Sequence, residues 1–203
     1  MFIELFNYLF CSEKLFSRAT LCARKEFCQV FCYLRIKVST DVLIQALTSM
    51  NTDILKMLLD LKDVNPNGEI GISTDDGFRN IELNPLMYAI KNRYIEPIKL
   101  LLGHPKIDIN RCISGIYPIE YAVTCPEIFD LLFNDKRIVL TGMNGAKALY
   151  KACETKSFYV FQKLINSPKI WANHSKEKKA EAIRICQQVR FQQAIPILQG
   201  LHS

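Results

Sequence analysis

The chain has 203 residues, 49% of them hydrophobic and 23% charged, with a formal net charge of +6. Those proportions exclude a disordered, collagenous or low-complexity polypeptide and allow one continuous core. Without a long uninterrupted apolar run no transmembrane helix is expected, and Met1-Phe2-Ile3-Glu4-Leu5 lacks the positive head of a secretory leader. Eight Cys scattered through a core-forming sequence point to buried thiols in a reducing compartment, so a cytoplasmic location is expected.

Residues 1–38 carry two apolar stripes at helical spacing. Phe2, Leu5, Phe6, Leu9 and Phe10 make the first, and Leu21, Cys28, Phe31 and Cys32 the second. From Ser39 the pattern changes to short paired helices. Thr40 or Asp41 is the expected N-cap of a helix holding Val42, Leu43, Ala46 and Leu47, and Asp53 the expected cap of one holding Ile54, Leu55, Leu58 and Leu59. Turn signals follow at Asn65-Pro66-Asn67-Gly68 and Asp75-Asp76-Gly77.

A second pair places Pro85, Leu86, Ala89 and Ile90 on one helix and Ile95, Ile98, Leu101 and Leu102 on the next, with a break near Asn92 and Arg93. Pro85 suits the first helical turn, where its missing N–H would have had no partner. Helices of about eight residues do not persist alone in water, so each stripe needs a neighbour to cover it. A third pair runs from Pro118 to Ala122 and from Pro126 to Phe133, its connection shortened at Thr124-Cys125-Pro126. The fourth opens at Gly145 and ends with Ser167-Pro168-Lys169-Ile170, echoing His104-Pro105-Lys106-Ile107. The last is degenerate, with Ala182, Ile183, Cys186, Ile195, Ile197 and Leu198 as its apolar positions and Pro196 early in its second helix. Gln187, Gln188, Gln192 and Gln193 give it the polar exterior that a terminal unit requires.

The same offsets recur. A small residue is followed 12 and 13 positions later by an apolar pair, at Ala89 with Leu101 and Leu102, Ala46 with Leu58 and Leu59, and Ala152 with Leu164 and Ile165; Cys186 with Leu198 and Gln199 is a weaker match. With Ala122 included, the markers are spaced by 43, 33, 30 and 34 residues. Asn84-Pro85-Leu86-Met87-Tyr88-Ala89, then Leu101-Leu102, then Asp108-Ile109-Asn110 resemble the ankyrin repeat, with its Thr-Pro-Leu-His-x-Ala opening and period of about 33 residues. The resemblance implies an all-α ankyrin-repeat solenoid over residues 39–203, with units near 39–64, 82–110, 115–140, 145–170 and 179–201. It also implies that the insertion at 65–83 is a lengthened hairpin finger with short strands near 69–72 and 78–83. The family's Thr and His are replaced at Asn84 and Met87, Tyr117 and Glu120, and Lys147 and Tyr150. Greater reliance on apolar packing, modest stability and fraying ends are therefore expected.

By resemblance, the function is to bind another protein as a monomeric scaffold, through hairpin fingers and the inner-helix surface. The contact residues so implied are Asp75, Phe78, Arg79, Arg111, Tyr117, Arg137 and Met143. Three readings compete for residues 1–38. The first is a helical cap on the open end of the stack. The second is an F-box-like segment recruiting a Skp-type adaptor of a cullin ubiquitin ligase, resembled in Glu4-Leu5, Leu9-Phe10, Leu15, Leu21-Cys22, Arg24 and Phe27, though without the opening Leu-Pro. That pairing occurs in large DNA viruses and in effectors of intracellular bacteria, and would place the chain in a host cytoplasm. A membrane-lying helix is the third and weakest, because Glu4 and Asn7 occupy the face that should be basic.

Signatures of chemistry are missing from the sequence. It has no Gly-rich phosphate loop, no His-Glu-x-x-His, no Gly-x-Ser-x-Gly and no Cys-x-x-Cys, and its three His (His104, His174, His202) stand apart. A non-enzymatic protein without cofactor or metal is expected. From Lys147 onward cations outnumber carboxylates, which would steer an acidic partner or form a solvated exterior. Specific nucleic-acid binding is not expected.

Overall fold

Short amphipathic segments, three of them opened by a side-chain cap, fold into a mostly helical chain of paired helices. The computed structural model describes residues 13–33, 35, 37–73, 80–171 and 175–200, which fall into two compact units, residues 1–108 and 109–203. No helix among the described residues is long and apolar enough to cross a membrane.

The first unit contains α1 (Glu13–Leu21), α2 (Lys25–Tyr33), α3 (Thr40–Thr48), α4 (Thr52–Leu59), β1 (Ile70–Ser73), β2 (Asn80–Leu83), α5 (Pro85–Lys91) and α6 (Ile95–Gly103). First helices pack on first helices, α1 on α3 and α3 on α5, while α2 packs on α4 and α4 on α6. The stripes of α3 and α4 are thereby covered on both sides, and Leu43, Leu47, Leu58, Leu86 and Ile98 are wholly buried. Phe16 and Phe31, 5.1 Å apart between ring centroids, close the space between α1 and α2. Within the insertion, Ile70–Ser73 and Asn80–Leu83 pair antiparallel in the register Ile70↔Leu83 and Gly71↔Glu82.

Two expected caps are corrected. Ser39, not Thr40 or Asp41, caps α3 and accepts the Val42 N–H at 3.4 Å. Asn51, not Asp53, caps α4 through the Ile54 N–H at 3.1 Å. Asp53 lies inside the first turn of α4, where it pairs with Lys25 at 3.0 Å. Asn84 accepts the Met87 N–H at 2.8 Å, so the turn keeps a side-chain cap where greater reliance on apolar packing was expected.

The second unit contains α7 (Pro118–Ala122), α8 (Pro126–Phe133), α9 (Met143–Glu154), α10 (Phe158–Ile165), α11 (Pro168–Trp171), α12 (Ser175–Gln188) and α13 (Ala194–Gly200). Here α7 packs on α9 and α9 on α12, with α8 against α10 and α10 against α11. Phe161 and Phe191, 5.6 Å apart edge to face, fill the join between the last two pairs. Three boundaries differ from expectation: α9 begins two residues before Gly145, residues 168–171 make a helical turn instead of a plain exit, and α12 begins at Ser175. Ile185 rather than Ile183 is buried, with Ala182 and Cys186.

One local geometry recurs. The helix-to-helix turn holds a non-glycine residue in the left-handed region at Ala23, Met50, Arg93, Lys156 and Arg190, with φ between 53° and 58°. In four of these turns the carbonyl of the small marker accepts the N–H five residues on: Arg24 to Ala19 at 3.0 Å, Tyr94 to Ala89 at 2.9 Å, Ser157 to Ala152 at 3.0 Å, Phe191 to Cys186 at 2.7 Å. This is the Schellman closure, which satisfies carbonyls at a helix end. It includes α1 and α2, although no repeat was expected before residue 39.

Candidate functional site

Of the contact residues implied by the sequence, Asp75, Phe78 and Arg79 lie outside the described residues. The other four belong to the second unit. Arg111 is exposed at the start of a tight finger in which Ile113 and Ile116 exchange both backbone hydrogen bonds at 3.0 Å. The two residues between them, Ser114 and Gly115, have φ of +50° and +80°, the conformation of a two-residue hairpin turn.

Tyr117, at the exit of that finger, is half-buried ahead of α7. The Lys147 ammonium reaches over from α9, 6.0 Å from the Tyr117 ring centroid, and donates to the Gly115 carbonyl. The Glu120 carboxylate, one turn into α7, accepts the Tyr117 N–H at 3.5 Å. Burial pushes its pKa up, against the Tyr117 N–H and the Lys147 and Lys151 charges, which pull it down. Finger, tyrosine, carboxylate and lysine thus form one cluster. The adjoining α9 and α12 carry Lys151 paired with Glu154 at 3.1 Å and Arg184 paired with Glu181 at 2.6 Å.

Met143 is 57% exposed, but it opens α9 instead of sitting on a finger. Arg137 is committed to its own loop. The Asp135 carboxylate accepts its Nε at 3.0 Å, its Nη2 at 2.7 Å and its backbone N–H at 2.9 Å, which holds the carboxyl below the usual range. The structure therefore joins Tyr117 with residues that were not among the implied contacts, Lys147 and Glu120. Both stand where the family's Thr or His would be, and that departure was the available signal.

A second cluster escaped the sequence reading. Asp130 on α8 accepts the Tyr159 hydroxyl at 2.5 Å and the Lys163 ammonium at 2.7 Å, both from α10. Lys163 lies 4.8 Å from the centroid of the Tyr159 ring, and its hydrogen bond to Asp130 raises its pKa. Several cations of the basic C-terminal stretch are thus spoken for: Lys151, Lys163 and Arg184 pair with carboxylates, and buried Lys178 donates to the Ile170 carbonyl at 2.9 Å.

Among the described residues no three His, Cys, Asp or Glu side chains gather where they could hold a metal ion. No protein-family model matches this sequence, and no curated protein matches it.

Proposed function

We propose that the chain is an ankyrin-type repeat scaffold, cytoplasmic and non-enzymatic, that binds a partner protein through its fingers and first-helix faces. The observation carrying this reading is the overlap of two periodicities: of the five markers found by offset in the sequence, Ala89, Ala152 and Cys186 also supply carbonyls that close the recurring turn, while Ala46 and Ala122 do not. Like-on-like packing of first helices and of second helices within each unit supports it. Such arrays present side chains on an open surface, and the Tyr117, Glu120 and Lys147 cluster has the mixed aromatic and charged character of protein contacts. Buried free thiols at Cys28, Cys153 and Cys186 support a reducing compartment.

The test is affinity isolation from cells with the full chain, compared with Tyr117→Ala/Lys147→Ala. The reading expects one partner to be lost by that variant and kept by Gln188→Ala. Partners unaffected by the cluster variant would refute this placement of the contact.

The F-box-like alternative is favoured by one observation. Leu15, Leu21 and Phe27, which carry that resemblance, are 37%, 44% and 52% exposed on α1 and α2. Deleting the segment would uncover α3 and α4, so point variants are the sounder test. On this reading Leu21→Glu/Phe27→Glu abolishes binding to a purified Skp-type adaptor, and absence of binding by the parent chain excludes it.

A further inference from the structure

We propose that the first unit carries a cationic trough that takes an extended acidic segment of a partner protein. Two grooves, of about 530 and 650 Å³, share Leu61 and Lys62 and so abut. Their rims hold Arg35, Lys37, Lys56, Lys62, Lys99 and Lys106, all exposed, against two lining carboxylates, Asp60 and Asp63. The Lys106 ammonium is held by the Lys62 carbonyl at 2.8 Å, while Lys99 pairs with Glu96 at 2.6 Å and so adds little net charge to the rim. The floor is apolar, with buried Leu59, Val38 and Val64 and half-buried Leu61 and Leu100. None of these residues belongs to the Tyr117–Lys147 cluster, and the trough does not require the repeat reading.

The lining selects among anionic ligands. Its charges are spread along a trough rather than converging on a point, which suits a chain of carboxylates better than one phosphate. No Phe, Tyr or Trp lines either groove, and the one imidazole, His104, is half-buried with its Nδ1 taken by the Lys106 N–H at 3.1 Å, so a single strand would find no row of rings to stack on. None of the exposed large apolar side chains among the described residues lines either groove, so nothing there would insert into a bilayer. An acidic peptide with intermittent apolar residues satisfies rim and floor together.

The experiment is fluorescence anisotropy with the full chain and a labelled peptide of four Glu-Glu-Leu repeats, its Gln-for-Glu counterpart, a labelled oligothymidylate of equal length, and phosphatidylserine-containing vesicles. The acidic peptide is expected to bind, to weaken at least about tenfold between about 50 and 200 mM salt, and to lose on the order of tenfold in Lys56→Gln/Lys62→Gln. Both lysines are exposed, and unchanged circular-dichroism melting will show that the variant folds. Lys176→Gln/Lys179→Gln, a change of equal charge elsewhere, should leave binding intact. The proposal is overturned if the Gln peptide binds equally, if the Lys56/Lys62 variant binds normally or the Lys176/Lys179 variant loses as much, or if oligothymidylate or vesicles bind through Lys56 and Lys62 as tightly as the peptide.

Discussion

The carboxamide oxygen of Asn110 accepts the backbone N–H of Val139 at 2.9 Å. Its amide nitrogen donates to the Arg137 carbonyl at 2.9 Å, and Asn144 donates to the same Asn110 oxygen at 3.1 Å. In the first unit Asn67 repeats the device, donating to the Lys106 carbonyl at 2.7 Å and accepting the Asp108 N–H at 2.8 Å. In both, one side chain ties the loop at the base of a finger to the loop after the following helix pair. Asn110→Leu removes both bonds, but the Val139 N–H and the Arg137 carbonyl are open to water, so a loss of about 1–2 kcal/mol in urea unfolding is expected. Asn110→Asp keeps the acceptor and should lose about 1 kcal/mol.

The left-handed turn residues offer the opposite sign. Lys156 has φ +54° and is exposed, so its side chain gains little and strains the backbone. Lys156→Gly should stabilise by about 0.5–1 kcal/mol, seen as a melting temperature higher by about 1–4 °C. Thr124 occupies the shortened third turn and is not left-handed. Thr124→Gly should only lower the melting temperature; equal gains at both positions would remove the strain argument.

What the sequence disclosed, and what it hid, follows from the range of the interactions. Apolar offsets and Pro at helix starts are local, so the paired helices from α3 to α10 lay close to their expected places. Helical stripes were expected before residue 39, but the likeness of the α1–α2 turn to the later ones was not, because Ala19 is followed at the same offset by Phe31 and Cys32 instead of two aliphatic residues, and stands only 27 residues before Ala46. Caps shifted where Ser39-Thr40-Asp41 offered three competent residues in a row. The site was least legible. Lys147 reaches Gly115 across 32 residues of sequence and Lys163 reaches Asp130 across 33, contacts created by packing.

Glu120 gives a pH dependence with a defined sign. Burial raises its folded pKa above the unfolded one despite Lys147 and Lys151, and Glu154 adds to the rise. Below the unfolded pKa the group is protonated in both states and contributes nothing. As pH rises toward the folded value the unfolded chain releases its proton first, so stability falls, and above that value the loss is constant. Glu120→Gln should therefore melt higher than the parent at neutral pH and match it near about pH 3. A variant less stable at neutral pH would show that attraction to the lysines outweighs burial.

Gly145 marks where backbone and side chain crowd most. It is buried in the first turn of α9, and a Cβ there would sit on the Leu140 carbonyl oxygen and lie 2.7 Å from the Ile170 Cδ1. The carbonyl belongs to the loop held by Asn110 and Asn144, and Ile170 to α11, whose Ile170 carbonyl takes the Lys178 ammonium. Neither neighbour is the tip of a long flexible chain, so a methyl group must displace a loop or a helix. Helix propensity favours alanine by about 1 kcal/mol, yet overpacking of this kind costs about 1–3 kcal/mol or more, and the steric contribution wins. Gly145→Ala should lower unfolding free energy by about 1–2 kcal/mol net of the propensity gain, whereas Gly103→Ala, at an exposed helical position where the added carbon meets nothing within 4 Å, should be neutral or stabilising. Equal responses of the two glycines in parallel urea titrations would mean that the α9 entry is looser than these contacts require.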